Sequence, residues 1–234
     1  MRIFVVSKGD SLYSIARRFG VSPTELSYIN ALSDPNRLTI GQTLVIPGDS
    51  SPQGQIEVNG YAYPNISDTV LSEALPYMTF LCPFSWHIDA AGGITPIDDK
   101  RMISRAYETA TAPMLTLTNI GTSGGFSSDI AHAIFTDDAA QTTLIENILA
   151  ALRSRGYYGV NLNIEYVYPF DREGYNNFLK RLSETLHPKG YYLSTAIAPK
   201  TSDDQYGLLY TAHDYEAHGR YCDRVIIMTY EWGY

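Results

Sequence analysis

Cysteine is scarce in this sequence, and its scarcity excludes two classes of protein. The 234 residues include only Cys82 and Cys222, with no CxxC pair and no other metal-type spacing. A disulfide-stapled scaffold and a cysteine-based zinc domain are therefore excluded. Both cysteines lie in apolar, strand-like segments, so we expect them to be buried and reduced, which fits synthesis in the cytoplasm.

Long apolar runs and an excess of positive charge are also absent. No segment approaches the ~20 apolar residues of a membrane span, and the first residues lack the apolar stretch of a secretory signal. We therefore expect synthesis in the cytoplasm without a signal peptide. The 17 basic residues are outnumbered by 25 acidic ones, for a net charge of −8. This balance argues against nucleic acid or an anionic membrane as a partner.

Histidine does not supply a metal site either. His213 and His218, in the stretch HDYEAH, lack the i, i+4 spacing of a helical zinc pair, and no third ligand is evident. We expect no metal and no cofactor.

Residues 1–47 form a self-contained strand–helix–helix–strand (βααβ) pattern. A short strand, IFVV, precedes a helix that Asp10 or Ser11 can cap and that Gly20 ends. A second helix begins with Ser22 at the N-cap and Pro23 in the first turn, and TLVIP is the closing strand. Residues 48–55, rich in Gly, Ser and Pro, are typical of a linker.

This first unit resembles a LysM domain, a family that binds N-acetylglucosamine-containing glycans in a shallow groove. The resemblance rests on the opening GDSLYSIA, on the "N-AL" after the second helix and on the ending IGQTLVIP. Helix capping alone would also explain Asp10 and Ser11. The residues that the resemblance places along the groove are Gly9, Asp10, Ser11 and Leu12 on one side and Asn30, Ala31 and Leu32 on the other.

Residues 56–234 alternate strands with helices, which indicates an α/β fold with a parallel sheet. We count six strands, whereas a (β/α)8 TIM barrel has eight. We therefore predict a TIM-type barrel that is truncated after strand six. The predicted strands are IEVNGYAY, YMTFLCPF, PMLTLTNI, GVNLNIEYV, YYLSTAIAP and DRVIIMTYEW.

The fourth strand carries an unusual row of polar side chains. Asn161, Asn163 and Glu165 alternate with apolar residues, so they share one face of the strand. A solvent-facing edge strand would explain such a row, but strands of a parallel sheet are covered on both faces. Because the carboxyl ends of barrel strands face the active site, we expect these side chains to point into the barrel mouth.

The same strand resembles the D-G-x-D-x-D-x-E signature of family 18 glycoside hydrolases, with Glu165 in place of its terminal acid. VIIMTYEWGY resembles the M-T-Y-[DE] of that family's sixth strand. The resemblance implies substrate-assisted catalysis, in which Glu165 is acid and then base and the substrate's acetamido oxygen attacks the anomeric carbon. It assigns Asn163 and Tyr230 to the acetamido group. We further predict substrate contacts for Asn161, Tyr166, Trp86, Glu231 and Trp232, although core packing would equally explain either tryptophan.

Two amides depart from the family pattern, since Asn161 and Asn163 stand where the family has aspartates. An amide accepts a hydrogen bond but supplies no negative charge to a developing cation, a loss of roughly 2–4 kcal/mol. With the LysM unit and the continuation EYVYPFDRE, the chain resembles spore cortex N-acetylglucosaminidases acting on peptidoglycan, and we expect spore association. The alternatives are a non-catalytic peptidoglycan- or chitin-binding protein and a chitinase-like hydrolase.

Overall fold

The computed structural model describes residues 2–48 and 54–230. The chain divides into two compact units, Met1–Ile56 and Glu57–Tyr234. Most of the stretch interpreted as a linker, residues 49–53, lies outside the described residues, and so do Glu231 and Trp232.

The first unit is an antiparallel pair of strands packed on two helices. Its elements are β1 (Arg2–Val5), α1 (Leu12–Phe19), α2 (Pro23–Ile29) and β2 (Thr43–Ile46). The Ser11 and Ser22 side chains cap the two helices, and Gly20 ends α1 in the left-handed conformation at φ +69°. The βααβ prediction for this unit is confirmed in order and type. Its small core contains Val6, Leu12, Ile15, Ala16, Leu26, Leu44 and Ile46.

The second unit is built on a parallel sheet whose strands follow sequence order. Its path β3–β4–β7–β8–β9–β10 is parallel throughout, and a short hairpin of β5 and β6 pairs with β7 beside the path. The strands are β3 (Asn59–Ala62), β4 (Phe80–Pro83), β5 (Trp86–Ile88), β6 (Ile94–Thr95), β7 (Ala112–Thr118), β8 (Gly159–Asn163), β9 (Tyr192–Ile197) and β10 (Arg224–Ile227).

Helices connect these strands and cover the sheet. They are α3 (Asp68–Ala74), α4 (Lys100–Glu108), α5 (Ser128–Thr136), α6 (Asp138–Arg155), α7 (Arg172–Leu186) and α8 (Tyr215–Tyr221). Three 3₁₀ turns, Leu75–Tyr77, Pro169–Asp171 and His187–Lys189, lie between them. The hairpin and helices α5 and α8 were not predicted. They were missed because they are short or lie in stretches without a clear apolar period.

The main core lies between the sheet and helices α5, α6 and α7. It includes Leu117 of β7, Leu162 of β8 and Phe178 of α7, each at most 1% exposed. A smaller cluster of Phe80, Cys82 and Met114 lies on the other face of the sheet.

The prediction for the two cysteines holds fully for Cys82 and only partly for Cys222. Neither is in a disulfide among the described residues. Cys82 is completely buried, whereas Cys222 is of intermediate exposure because it follows the end of α8 rather than lying inside a strand.

Candidate active site

A cavity of about 630 Å³ opens at the carboxyl ends of the strands in the second unit. Three residues with predicted catalytic roles line it, Asn163, Glu165 and Tyr230. Thus β8 and the segment after β10 deliver their polar side chains to one place, as parallel strands do. The other lining residues are Asn59, Tyr61, Ala62, Tyr63, Phe84, Ile120, Phe126, Ile226, Ile227 and Met228.

Asn163 is the last residue of β8 and is 5% exposed. It pairs in register with Thr118 of β7 and Ala196 of β9, so the sheet fixes its backbone on both sides. Its Oδ1 atom is buried without a hydrogen-bond partner among residues 2–48 and 54–230. An unsatisfied buried acceptor of this kind costs ~1–3 kcal/mol. The atom is therefore suited to accept an N–H from a molecule in the cavity.

Asn161 lies one layer deeper and is engaged by the protein itself. Its Oδ1 accepts a hydrogen bond from the Tyr61 hydroxyl at 2.9 Å, and its Nδ2 donates to Ser194 Oγ at 2.9 Å. Asn161 is completely buried and does not line the cavity. The structure therefore places Asn161 beneath the cavity, where it orients Tyr61, and this favours a supporting role over a direct substrate contact.

Tyr61 is a cavity residue that the sequence reasoning missed. More than a third of it is exposed in the cavity, while its hydroxyl reaches the buried Asn161 amide. Burial of that hydroxyl, and next the nearby Cys82, raises the pKa of Tyr61 above its usual value. A signal existed in the alternation of Asn59 and Tyr61, whose period of two places both on one face of β3.

The aromatic residues predicted to touch substrate have different surroundings. Trp86 is 5% exposed and packs in the main core, where its Nε1 donates to Asp99 Oδ2 at 2.6 Å. Trp86 is absent from the cavity wall, and its burial favours the alternative of core packing over a substrate contact.

Tyr166 and Tyr230 are both accessible. Tyr166, at φ +54°, is 42% exposed and stacks on the cavity residue Phe126 with ring centroids 6.3 Å apart. Tyr230 is 72% exposed, and its hydroxyl lies 3.3 Å from Met228 Sδ. Both remain candidate substrate contacts, whereas Glu231 and Trp232 lie outside the described residues.

The first unit has its own groove, of about 880 Å³. Four of the residues that the LysM resemblance places along a groove line it, Ser11, Leu12, Ala31 and Leu32, and their contact with a glycan stays a prediction. Tyr13 and Tyr28, 66% and 86% exposed, also line it and were not predicted. The further lining residues are Pro23, Thr24, Ser27, Pro35 and Asn36.

Three further residues predicted for the groove have structural roles within the first unit. Asn30 exchanges two hydrogen bonds with the Val45 backbone, at 2.7 and 2.9 Å, and so ties α2 to β2. Asp10 accepts from the Ser7 N–H at 2.7 Å. Gly9 takes φ +93°, which glycine adopts without strain. None of the three lines the groove.

No group of three or more histidine, cysteine or acidic side chains in the described part of the chain is arranged to hold a metal ion. His213 and His218 instead pack on Tyr175, with ring centroids 6.2 and 4.9 Å from it. Within the same described ranges, every helix is too short or too polar to cross a membrane.

Comparisons with known proteins agree with this geometry. The LysM domain model matches residues 4–47, and the model of glycosyl hydrolases family 18 matches residues 87–233. The chain is 36% identical to the cortical fragment-lytic enzyme of Bacillus subtilis and to that of Bacillus anthracis. Each match covers 100% of this chain and 66% of the relative.

Among solved structures, the Bacillus cereus spore cortex-lytic enzyme SleL matches with a TM-score of 0.75 and 36% identity. That match covers 99% of this chain and 54% of the other. A chitinase from Chromobacterium violaceum matches with a TM-score of 0.69 over 76% of this chain and 57% of its own; at 23% identity, it supports the fold alone. This chain thus spans 66% of the curated relatives' length and about half of the solved structures. The α/β barrel-type fold with a LysM domain before it is confirmed, and the chain belongs to family 18 of the glycosyl hydrolases.

Proposed function

We propose that this chain hydrolyses N-acetylglucosaminide bonds in peptidoglycan, with spore cortex as its substrate. One observation carries the proposal. A cavity at the carboxyl ends of the strands brings together Glu165 and the unsatisfied side-chain oxygen, Oδ1, of Asn163. The names of the relatives support cortex as the substrate. The spore would then be where the protein acts.

The number of acidic groups favours a substrate-assisted mechanism. Glu165 is the sole carboxylate among the described residues that line the cavity. The usual glycosidase needs a pair of carboxyl groups, whereas substrate assistance needs one, because the substrate supplies the nucleophile. A single acid next to an amide acceptor therefore fits a 2-acetamido sugar.

The reaction has two steps, and Glu165 moves a proton in each. In the first, the Glu165 carboxyl group donates its proton to the glycosidic oxygen, the bond from that oxygen to the anomeric carbon breaks, and the acetamido oxygen bonds to the same carbon. In the second, water attacks that carbon and gives its proton back to Glu165, and the acetamido oxygen leaves. Two inversions at one carbon give net retention.

Asn163 orients the acetamido group in this scheme. Its Oδ1 accepts the acetamido N–H, which points the acetamido oxygen at the anomeric carbon and satisfies the buried acceptor. Tyr61, Tyr63, Phe84 and Phe126 supply the aromatic walls against which the apolar faces of sugar rings can pack.

The groove of the first unit would anchor the protein to the glycan. It combines the exposed rings of Tyr13 and Tyr28 with the polar side chains of Ser11 and Asn36, a mixture that suits a sugar chain. Anchoring raises the local concentration of substrate at the catalytic unit.

An assay on reduced cortex fragments, with mass spectrometry of the products, tests the function. New reducing ends on N-acetylglucosamine, with the β-anomer formed first, are expected. Glu165→Gln should abolish cleavage while glycan binding survives, because the amide keeps the shape and has no proton to give. Glu146→Gln, the same exchange at an exposed position of α6, is a control that should cleave normally. Near-normal turnover by Glu165→Gln would rule out Glu165 as the acid.

A non-catalytic glycan-binding protein is the second candidate, and the amides at 161 and 163 favour it. It would bind cortex fragments and leave their masses unchanged in the same assay. Faster cleavage of chitin oligomers than of cortex fragments would instead indicate a chitinase-like hydrolase.

A further inference from the structure

Glu165 stands where the regular sheet has already ended. Strand β8 stops at Asn163, and Tyr166 takes a positive φ of +54°, so the chain turns sharply next to the acid. Glu165 therefore lies two residues beyond the last paired residue of β8. A side chain from another element binds its backbone.

The Asn119 side chain binds both backbone groups of Glu165. Its Oδ1 accepts the Glu165 N–H at 3.0 Å, and its Nδ2 donates to the Glu165 carbonyl oxygen at 2.8 Å. Asn119 follows β7 directly and is completely buried. The same Nδ2 donates to the Ser127 carbonyl at 3.0 Å, which ties the amide to the start of α5. The Asn119 amide thus links the Glu165 backbone to the end of β7 and the start of α5.

His213 contacts the peptide group that joins Ile164 to Glu165. Its ring Nε2 lies 3.0 Å from the Ile164 carbonyl oxygen, and its Nδ1 accepts the Ala198 N–H at 3.1 Å. Because Nδ1 accepts, the proton of the neutral ring is on Nε2, which donates to Ile164. The Ile164 carbonyl and the Glu165 N–H belong to one peptide group. His213 donates a hydrogen bond to its oxygen, and Asn119 accepts one from its N–H.

We propose that Asn119 is a positioning residue that holds the Glu165 backbone, together with His213, so that the Glu165 carboxyl group meets the glycosidic oxygen. This inference rests on the proposed function of Glu165 as the acid. An error of ~1 Å in the position of a reacting group can cost ~100-fold in rate. Loosening the Glu165 backbone should therefore lower kcat and leave substrate binding nearly unchanged.

The test compares Asn119→Ala with Thr111→Ala in the full chain. Thr111 precedes β7 at its opposite end, is also completely buried, and donates to the Leu75 and Met78 carbonyls at 2.9 and 3.3 Å. For Asn119→Ala we expect kcat to fall ~100-fold with KM within ~3-fold. Hydrogen exchange of the Glu165 amide, followed by NMR, should speed up at least ~10-fold, since its acceptor is lost. Thr111→Ala should change neither quantity.

Asn119→Asp serves as an isosteric second variant if the alanine variant folds poorly. A protonated Asp can accept from the Glu165 N–H and donate to its carbonyl, whereas an ionised one cannot donate. The kcat of this variant, relative to the unaltered protein, should therefore rise as the pH falls from 8 to 5. A positioning role is overturned if kcat stays within ~2-fold in Asn119→Ala, or if the Asp variant shows no such pH dependence.

The outcome for the unaltered protein separates the two proposals. If it cleaves no glycan, the proposed function fails and the positioning role with it, even where Glu165 amide protection depends on Asn119. If it cleaves and Asn119→Ala cleaves equally well, the function stands and only the positioning role is wrong.

Discussion

Asn163 lies two residues before Glu165 on the wall of the same cavity. Its side-chain oxygen, Oδ1, is buried and has no hydrogen-bond partner in the described residues. An aspartate there would accept the same hydrogen bond and would also stabilise the positive charge that develops at the sugar ring. The amide performs the first task alone, and this difference can be measured.

Asn163→Asp should raise kcat on N-acetylglucosaminide substrates by ~10-fold, equivalent to ~1.4 kcal/mol of transition-state stabilisation. The gain should appear in kcat more than in KM, because the charge develops in the transition state. Steady-state kinetics of the variant and the unaltered protein measure it, and Asn177→Asp, at an exposed position of α7, controls for the added charge. A lower kcat in Asn163→Asp would show that the site is built around the amide.

At the scale of elements, helix ends have caps that can be recognised from residue type. Helix α6 begins after Asp137, whose Oδ1 accepts from the Ala139 and Ala140 N–H groups at 2.8 and 3.3 Å. Gly156 ends this helix in the left-handed conformation, at φ +75°. Such caps satisfy backbone groups that the helix itself leaves unpaired.

Asp137→Ala should lower the free energy of unfolding of the second unit by ~1 kcal/mol, the usual value of an N-cap. Denaturant unfolding monitored by circular dichroism measures this. Asp138→Ala removes a carboxylate one position later, from a fully exposed side chain, and should cost less than half as much. An equal loss in the two variants would mean that charge near the helix end, rather than capping, accounts for the effect.

Helix α2 presents Tyr28 to the groove of the first unit, with 86% of the residue exposed. Tyr28→Ala should weaken binding of N-acetylglucosamine oligomers ~10-fold and leave the fold intact, because an exposed ring contributes little to stability. Titration with chitopentaose, followed by NMR or calorimetry, provides the measurement. Tyr77→Ala removes a ring that is 80% exposed in the other unit and should bind normally. Unchanged affinity in Tyr28→Ala would place glycan binding elsewhere.

At the scale of the whole molecule, two buried histidines link stability to pH. Burial lowers the pKa of His213 to about 4 and that of His218 to about 3, and His213 further lowers the pKa of His218. Neither ring nitrogen of His218 has a hydrogen-bond partner among the described residues. Both rings are therefore neutral in the folded protein, whereas they titrate near 6.5 when unfolded.

The free energy of unfolding should be unaffected by this pair above pH ~6.5. It should decline as the pH falls from ~6.5 towards ~4, because the unfolded chain takes up protons on these histidines before the folded protein does. The loss should reach a few kcal/mol, since each pKa unit corresponds to ~1.4 kcal/mol. His218→Phe fills the same space without titrating and should reduce this acid dependence. His87→Phe, at a half-buried position of β5, should leave it unchanged. Denaturant unfolding between pH 4 and 8 measures the acid dependence of each protein. The prediction is contradicted if His218→Phe loses as much stability in acid as the unaltered protein.

Local patterns predicted the two-unit organisation and most regular elements. The strand–helix–helix–strand order of the first unit, its caps at Ser11 and Ser22, and the alternation of strands and helices after residue 56 all follow from residue type and period. The polar row of the fourth strand predicted a cavity at the barrel mouth, and Asn163 and Glu165 line one. Their catalytic roles, which the family resemblance implied, stay predictions. The units, their elements and this polar row depend on neighbours close in sequence, so the sequence by itself determined them.

Long-range packing decided the rest. Trp86, Asn161 and Asn30 have the residue types of ligand contacts, yet the fold turns each of them towards the protein interior. Conversely, Tyr61 reaches the cavity from β3, and Asn119 meets Glu165 from a position 46 residues earlier in the chain. The periodicity of a segment does not predict contacts of this kind, because strand order and the path of each turn determine which side chains come together. The tertiary structure therefore determines which of the many polar and aromatic residues lie around Glu165.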